Sequence, residues 1–263
     1  MRDLLTDLDG TNTGPDANPM ARAQAAQRPQ LPKRFYKDVS VGEVEGGFTV
    51  LLDGRPVRTP ARGLLLVPTR ALAEALAREW EVQEGEINPF SMPMTRLVNV
   101  ALDRVAAEPA AVRDEVVRYA GTDMLFYRAD GPTALLERQA QHWDPVLAWA
   151  REERGAPFFL AEGVRHVAQP EESLARMSEL VPGDALPLAA VHVMTTLTGS
   201  ALLALAVAEG VLDADAAWQA AHVDEDWNRE LWGEDELATA RRDARRVDMD
   251  AAVALLRLHS DRG

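Results

Sequence analysis

No cysteine occurs anywhere in the 263-residue chain. Disulfides, thiolate metal sites and cysteine nucleophiles are thereby excluded, nothing points to an oxidising compartment, and a cytoplasmic location is expected. Positive charge is also scarce: 28 Lys and Arg face 42 Asp and Glu, a formal net charge of -14. Such an excess repels phosphate backbones and leaves little of the electrostatic free energy that nucleic-acid binding uses, so neither DNA nor RNA is expected as a partner. The run Arg241-Arg242-Asp243-Ala244-Arg245-Arg246 mixes signs and reads as a solvated helix face.

Signatures of chemistry are missing too. There is no Gly-x-Gly-x-x-Gly and no Gly-x4-Gly-Lys-Ser/Thr, so no phosphate cradle and no nucleotide cofactor are expected. Serine is sparse and no Gly-x-Ser-x-Gly elbow occurs. The five histidines, at 142, 166, 192, 222 and 259, stand singly. The nearest approach to a metal-ligand pair is His222 with Glu225 or Asp226, three or four residues on along one helix, and no metal site is assigned. The start, Met1-Arg2-Asp3-Leu4-Leu5-Thr6-Asp7, has acids where a secretion signal needs bases and lacks a continuous apolar stretch. A bilayer-length apolar stretch, Leu186 to Ala208, includes Pro187, His192 and four hydroxyl residues without flanking anchors; it reads as the buried central helix of a bundle, with no membrane insertion.

The patterning that is present divides the chain. Residues 1–30 are rich in Gly, Pro, Asn, Asp, Ala and Gln without apolar periodicity and read as a disordered tail. Short alternating runs follow at Arg34 to Val41, Gly47 to Leu52, Arg55 to Arg58 and Leu64 to Val67, punctuated by Gly46-Gly47, Asp53-Gly54, Pro60 and Gly63, which predicts a small antiparallel sheet. After Pro68-Thr69 the period lengthens, with Leu72, Leu76, Ala77 and Trp80 on one face and Thr69 as the cap. Helices are predicted over Thr95 to Ala106, Ala110 to Ala120, Pro132 to Arg154, Glu171 to Leu180, Leu186 to Ala208, Ala214 to Leu231 and Glu234 to Leu258. Trp143-Asp144-Pro145 predicts a kink or restart near Asp144.

Strands followed by helices, without alternation, give an α+β fold: a small antiparallel β-rich N-terminal domain over 31–90, including the first helix, and a larger all-helical C-terminal domain over 91–263. The tryptophans at 143, 149, 218, 227 and 232 fall on helices and read mostly as core, with one or two available as partner anchors. Asp224-Glu225-Asp226 and Glu234-Asp235 are acidic enough to supply an acid and a base, which keeps a hydrolase reading open. Glu234 and Asp235 also sit where a helix start favours negative charge.

Several of these residues together resemble a known family, the assembly chaperones that bind the alpha subunit of the F-type ATP synthase in mitochondria and alpha-proteobacteria. The likeness runs from about Leu31 to Leu258. It rests on Lys33-Arg34-Phe35-Tyr36-Lys37-Asp38-Val39, Gly46-Gly47-Phe48, Leu52-Asp53-Gly54-Arg55, Thr59-Pro60 and Glu79-Trp80. Further on it rests on Asp123 to Arg128, Gln141 to Trp149, and Glu225-Asp226-Trp227 through Trp232-Gly233. Asn228 stands where the family pattern suggests glutamine, and the acid-containing start looks more like a bacterial member than one with a mitochondrial presequence.

The resemblance implies the same two-domain arrangement and an activity without catalysis or cofactor. Unassembled alpha subunit would be held soluble by a monomeric chaperone until the beta subunit takes that place. It concentrates the expected partner-binding residues at Glu225, Asp226, Trp232, Gly233, Glu234 and Asp235, with Glu225 pairing with a basic group of the client. A helical adaptor with a different partner is the other binding reading.

Overall fold

The computed structural model describes residues 31–163 and 166–260; the tail expected over 1–30 lies outside them. Three antiparallel strands in sequential order, β1 (Val39–Val44), β2 (Gly47–Leu52) and β3 (Arg55–Pro56), form the N-terminal sheet. Val44 pairs with Gly47 across a two-residue turn, and Val39 with Leu52 at the far end. Glycine is required at 47, where φ is 151° and an added Cβ would stand 2.4 Å from the Val67 carbonyl oxygen.

The strand expected from Arg34 begins instead at Val39. Residues before it are held through side chains: the Arg34 guanidinium donates to the carbonyls of Tyr36, Lys37, Glu81 and Gln83. Leu64 to Val67 joins the sheet only through isolated bridges, Arg58 with Leu64 and Phe48 with Val67.

Ten α-helices follow among the described residues. Helix α1 (Arg70–Glu81) starts where Thr69 Oγ1 accepts from the Leu72 N–H at 3.2 Å, and it buries Leu72, Ala73, Ala75 and Leu76. Its Glu79 caps the next helix, α2 (Pro93–Val100), accepting from the N–H groups of Met94 (2.8 Å) and Thr95 (2.7 Å). Those donors would otherwise be orphaned, so this carboxylate ties the sheet-bearing part to the helical part. The stretch expected to stay helical to Ala106 turns π-helical over Ala101–Val105 before α3 (Pro109–Gly121).

Helix α4 (Thr133–Glu153) runs unbroken through Pro145 and corrects the restart expected near Asp144. Proline removes one backbone donor, but buried Trp143, Val146 and Trp149 hold both halves of α4 against the same core. The larger part is helical except for one two-residue parallel pair, β4 (Tyr127–Arg128) with β5 (Ala161–Glu162). It continues with α5 (Glu171–Glu179).

The segment read as one central helix is two: α6 (Ala185–Thr198) and α7 (Ala201–Ala208). Gly199 takes φ 69° and Ser200 caps α7. Both helices are buried on most of their faces, and no helix among the described residues is long and apolar enough to cross a membrane. Likewise, Ala214 to Leu231 divides at His222 into α8 (Ala214–Ala221) and α9 (Val223–Trp232). The long α10 (Glu236–Ser260) closes the molecule, packing along α6 and α2. Thr69 Oγ1 donates to the Leu258 carbonyl at 2.6 Å, fastening the end of α10 beside the start of α1.

Candidate functional site

Helix α9 is docked on α4 by its polar face. Arg138 makes a two-pronged pair with Glu230 (2.8 and 2.9 Å) and lies over the Trp227 ring, while Gln139 donates to Asp224 at 2.8 Å. At the α8–α9 joint, His222 Nδ1 is 2.7 Å from the Trp218 carbonyl. A carbonyl only accepts, so Nδ1 carries the proton; burial holds the imidazole pKa below its ordinary value and keeps the ring neutral. Its Nε2 is 3.8 Å from the Glu225 carboxylate, too far for a hydrogen bond, and Glu225 stands exposed in the first turn of α9, where the helix start favours its charge.

From Trp232 the chain turns back through Gly233, with φ 89°, into α10. Asp235 starts that helix, its carboxylate accepting from the N–H groups of Leu237 (2.8 Å) and Ala238 (3.1 Å). One ion-pair cluster clamps the two arms of this elbow: Arg242 of α10 bonds both oxygens of Asp226 on α9, and Arg229 adds contacts to Asp226 (3.2 Å) and Glu234 (3.8 Å). Burial alone would raise the Asp226 pKa, but hydrogen bonding and charge from Arg242, with Arg229 beside it, outweigh burial and hold the carboxyl below the ordinary aspartate range.

Between the arms lies a groove of about 450 Å³ that Glu225, Trp232, Gly233 and Asp235 line together. Asp226 and Glu234 sit beside it, held by arginines, so of the six expected residues four shape the groove and two contribute to its clamp. Trp232 does not pack in the core: it is 84% exposed, whereas Trp143, Trp149 and Trp218 are buried. Leu231 (57% exposed) precedes it on α9 and Leu237 (69% exposed) lies near the start of α10, so three large apolar side chains of the elbow stand in water.

The sequence pattern missed Leu231 and Leu237, although two leucines on either side of a helix-ending glycine were a visible signal. The basic run at 241–246 is also corrected in part: Arg242 clamps Asp226, Arg245 bonds the Leu197 carbonyl, and Arg246 bridges Asp215 (2.5 Å) and Asp250 (2.8 Å). Arg242, Arg245 and Arg246 fasten α10 to its neighbours, with Asp250 a partner inside α10 itself, while Arg241, Asp243 and Ala244 stay exposed as the run led one to expect.

The elbow thus leaves Trp232, Leu231 and Leu237 exposed beside a groove bordered by Glu225 and by the arginines that hold Asp226 and Glu234. A family model described as ATP12 chaperone protein matches residues 33–151. The solved structure of Atu1473 from Agrobacterium tumefaciens is 50% identical, with a TM-score of 0.84 over 98% of this chain and 97% of that one. Atp12 from Paracoccus denitrificans is 41% identical, with a TM-score of 0.82 over 87% of this chain and 98% of that one. A curated relative, the mitochondrial protein atp12 of Schizosaccharomyces pombe, is 23% identical over 76% of this chain and 74% of its own length. The chain belongs to the ATP12 chaperone family.

Proposed function

We propose that this chaperone holds the unassembled alpha subunit of the F-type ATP synthase, acts by binding alone and without a cofactor, works as a monomer in the cytoplasm, and yields its client to the beta subunit. The sheet-bearing part (31–90) and the helical part (91–263) act as two domains of one holder. The observation that carries the reading is the exposed Trp232 lining one groove with the exposed carboxylate of Glu225 on a clamped elbow. Solvent-exposed tryptophan on a rigid support is the kind of side chain that anchors interfaces, and an adjacent charge selects the partner. Binding without chemistry is supported by the acids a hydrolase would use: Asp224 is bonded to Gln139, and Asp226 is held by Arg242 and Arg229.

The test is a heat-aggregation and capture assay with isolated alpha subunit, with beta subunit as the control and no nucleotide added. Selective capture and rescue of alpha are expected, with capture reduced at least tenfold by Glu225→Lys. Absence of capture, or equal capture of beta, would overturn the proposal. Glu225→Lys protein that folds and binds alpha normally would remove Glu225 from the site.

A further inference from the structure

A second apolar surface lies far along the chain from the elbow. On the N-terminal sheet, Phe35 is 72% exposed and overhangs a cleft walled by Pro32, Pro56, Val57 and Trp80. The Phe35 ring meets Tyr36 edge-on at 5.3 Å and Tyr36 meets Trp80 at 5.8 Å, so the exposed ring is braced by the buried core beneath it.

Charge at this cleft runs against the rest of the molecule. Its one carboxylate, Asp53, accepts from the backbone N–H groups of Lys37 (3.0 Å) and Asp38 (2.9 Å). Arg55 and Arg58 stand on its rim: Arg58 donates to the Arg62 carbonyl at 2.9 Å, and the charge of Arg55 acts on Asp53. Of the charged residues that line the cleft two are basic, Arg55 and Arg58, and one is acidic, Asp53, inside a protein whose formal charge is -14. A cleft with an aromatic wall and two rim guanidiniums against one carboxylate that backbone donors already hold fits an apolar side chain followed or preceded by a carboxylate.

We infer that this cleft is a second client-binding site, which takes an extended acidic segment of the client with a bulky apolar side chain seated against Phe35 and a carboxylate on Arg55 and Arg58. The inference rests on the alpha-subunit reading above. Two sites on one rigid support would hold the client at two points, and the second contact would add to the first by effective concentration.

The experiment measures capture of isolated alpha subunit by the full chain, by Arg55→Glu with Arg58→Glu, and by Phe35→Ser. Thermal unfolding and sedimentation are recorded for each. Both rim arginines lie at the surface, so the charge-reversed protein is expected to melt with the parent and to bind alpha at least tenfold more weakly. Phe35→Ser is expected to weaken binding similarly.

Undiminished capture by the charge-reversed protein overturns the second site and leaves the elbow reading intact. If the parent chain captures no alpha, the proposed function fails and this inference fails with it. A dimer of the parent chain that the charge reversal dissolves would assign the cleft to a second copy of this chain and overturn the inference as well.

Discussion

At the α6–α7 junction, Gly199 (φ 69°) ends one helix, and Ser200 with the carboxylate of Asp123 starts the next; at the α9–α10 junction, Gly233 (φ 89°) and Asp235 serve in the same roles. In the first set Ser200 and Asp123 are fully buried and Gly199 partly so; the second lies in water. Asp123 Oδ2 accepts from the Ser200 hydroxyl and the Leu202 N–H, both at 2.9 Å, and Oδ1 accepts from the Leu125 N–H at 3.1 Å. Every partner is a donor, so one carboxylate satisfies the start of α7 and of the short 3-10 turn Met124–Phe126 inside the core. The same devices therefore do different work: at α6–α7 they make a break in an apolar rod tolerable, while at α9–α10 they aim Trp232 away from the core.

The largest expected effect separates the two carboxylate caps. Asp123→Ala leaves the Ser200 hydroxyl and the Leu202 N–H without an acceptor in the core and is expected to cost about 3 kcal/mol in urea unfolding at pH 7. Asp235→Ala, whose freed N–H groups reach water, is expected to cost about 1 kcal/mol or less. Equal costs at both positions would show that burial does not distinguish the junctions.

Titration sharpens the same contrast. Burial pushes the Asp123 pKa up to about 6, against the pull of the Leu202 N–H and the Ser200 hydroxyl. Folded Asp123 thus holds its proton more tightly than the unfolded chain does, and its contribution to stability is fully present below about pH 4 and lost as pH rises through 6. Relative to Asp123→Asn, the parent is expected to lose up to about 3 kcal/mol between pH 4 and pH 7. A constant difference across that window would mean that the carboxyl titrates normally.

At the exposed elbow the corresponding clamp is weaker. Asp226→Ala removes a part-buried pair with Arg242, the side chains 23% and 18% exposed, and is expected to cost about 2 kcal/mol, shrinking as salt is added. A cost as large as that at Asp123, insensitive to salt, would make the elbow part of the folding core.

How well each junction could be read from sequence follows from the same difference. Pattern reading works where one face is wet and the other dry. It found the α1 face through Leu72 and Leu76, the cap at Thr69, and the turn between β1 and β2, because each sits at a boundary between core and solvent. From Leu186 to Ala208 nearly every face is buried, so periodicity has no contrast with which to register a break, and only Gly199-Ser200 marks it. His222 hides the α8–α9 joint for a related reason: its ring stands 4.1 Å from Trp218 and is buried like a core residue. Nor could sequence say that Arg242 reaches Asp226 sixteen residues away, since that pairing exists only once α10 folds back on α9. The family resemblance nominated six residues that the fold gathers at one elbow; their division into groove and clamp was not legible.

The smallest stability effect carries the most functional weight. Trp232 ends α9 with most of its ring in water, so Trp232→Ala removes little burial and is expected to change unfolding free energy by no more than about 0.5 kcal/mol. An aromatic anchor at the centre of an interface is commonly worth about 2 kcal/mol or more when truncated, so the same variant is expected to lose tenfold or more in affinity for the alpha subunit. The two numbers must be measured on one preparation, by urea unfolding and by titration of client. A residue that only completes the fold would move both together or the first alone; a large loss of binding at constant stability is the signature of a surface kept exposed for a partner.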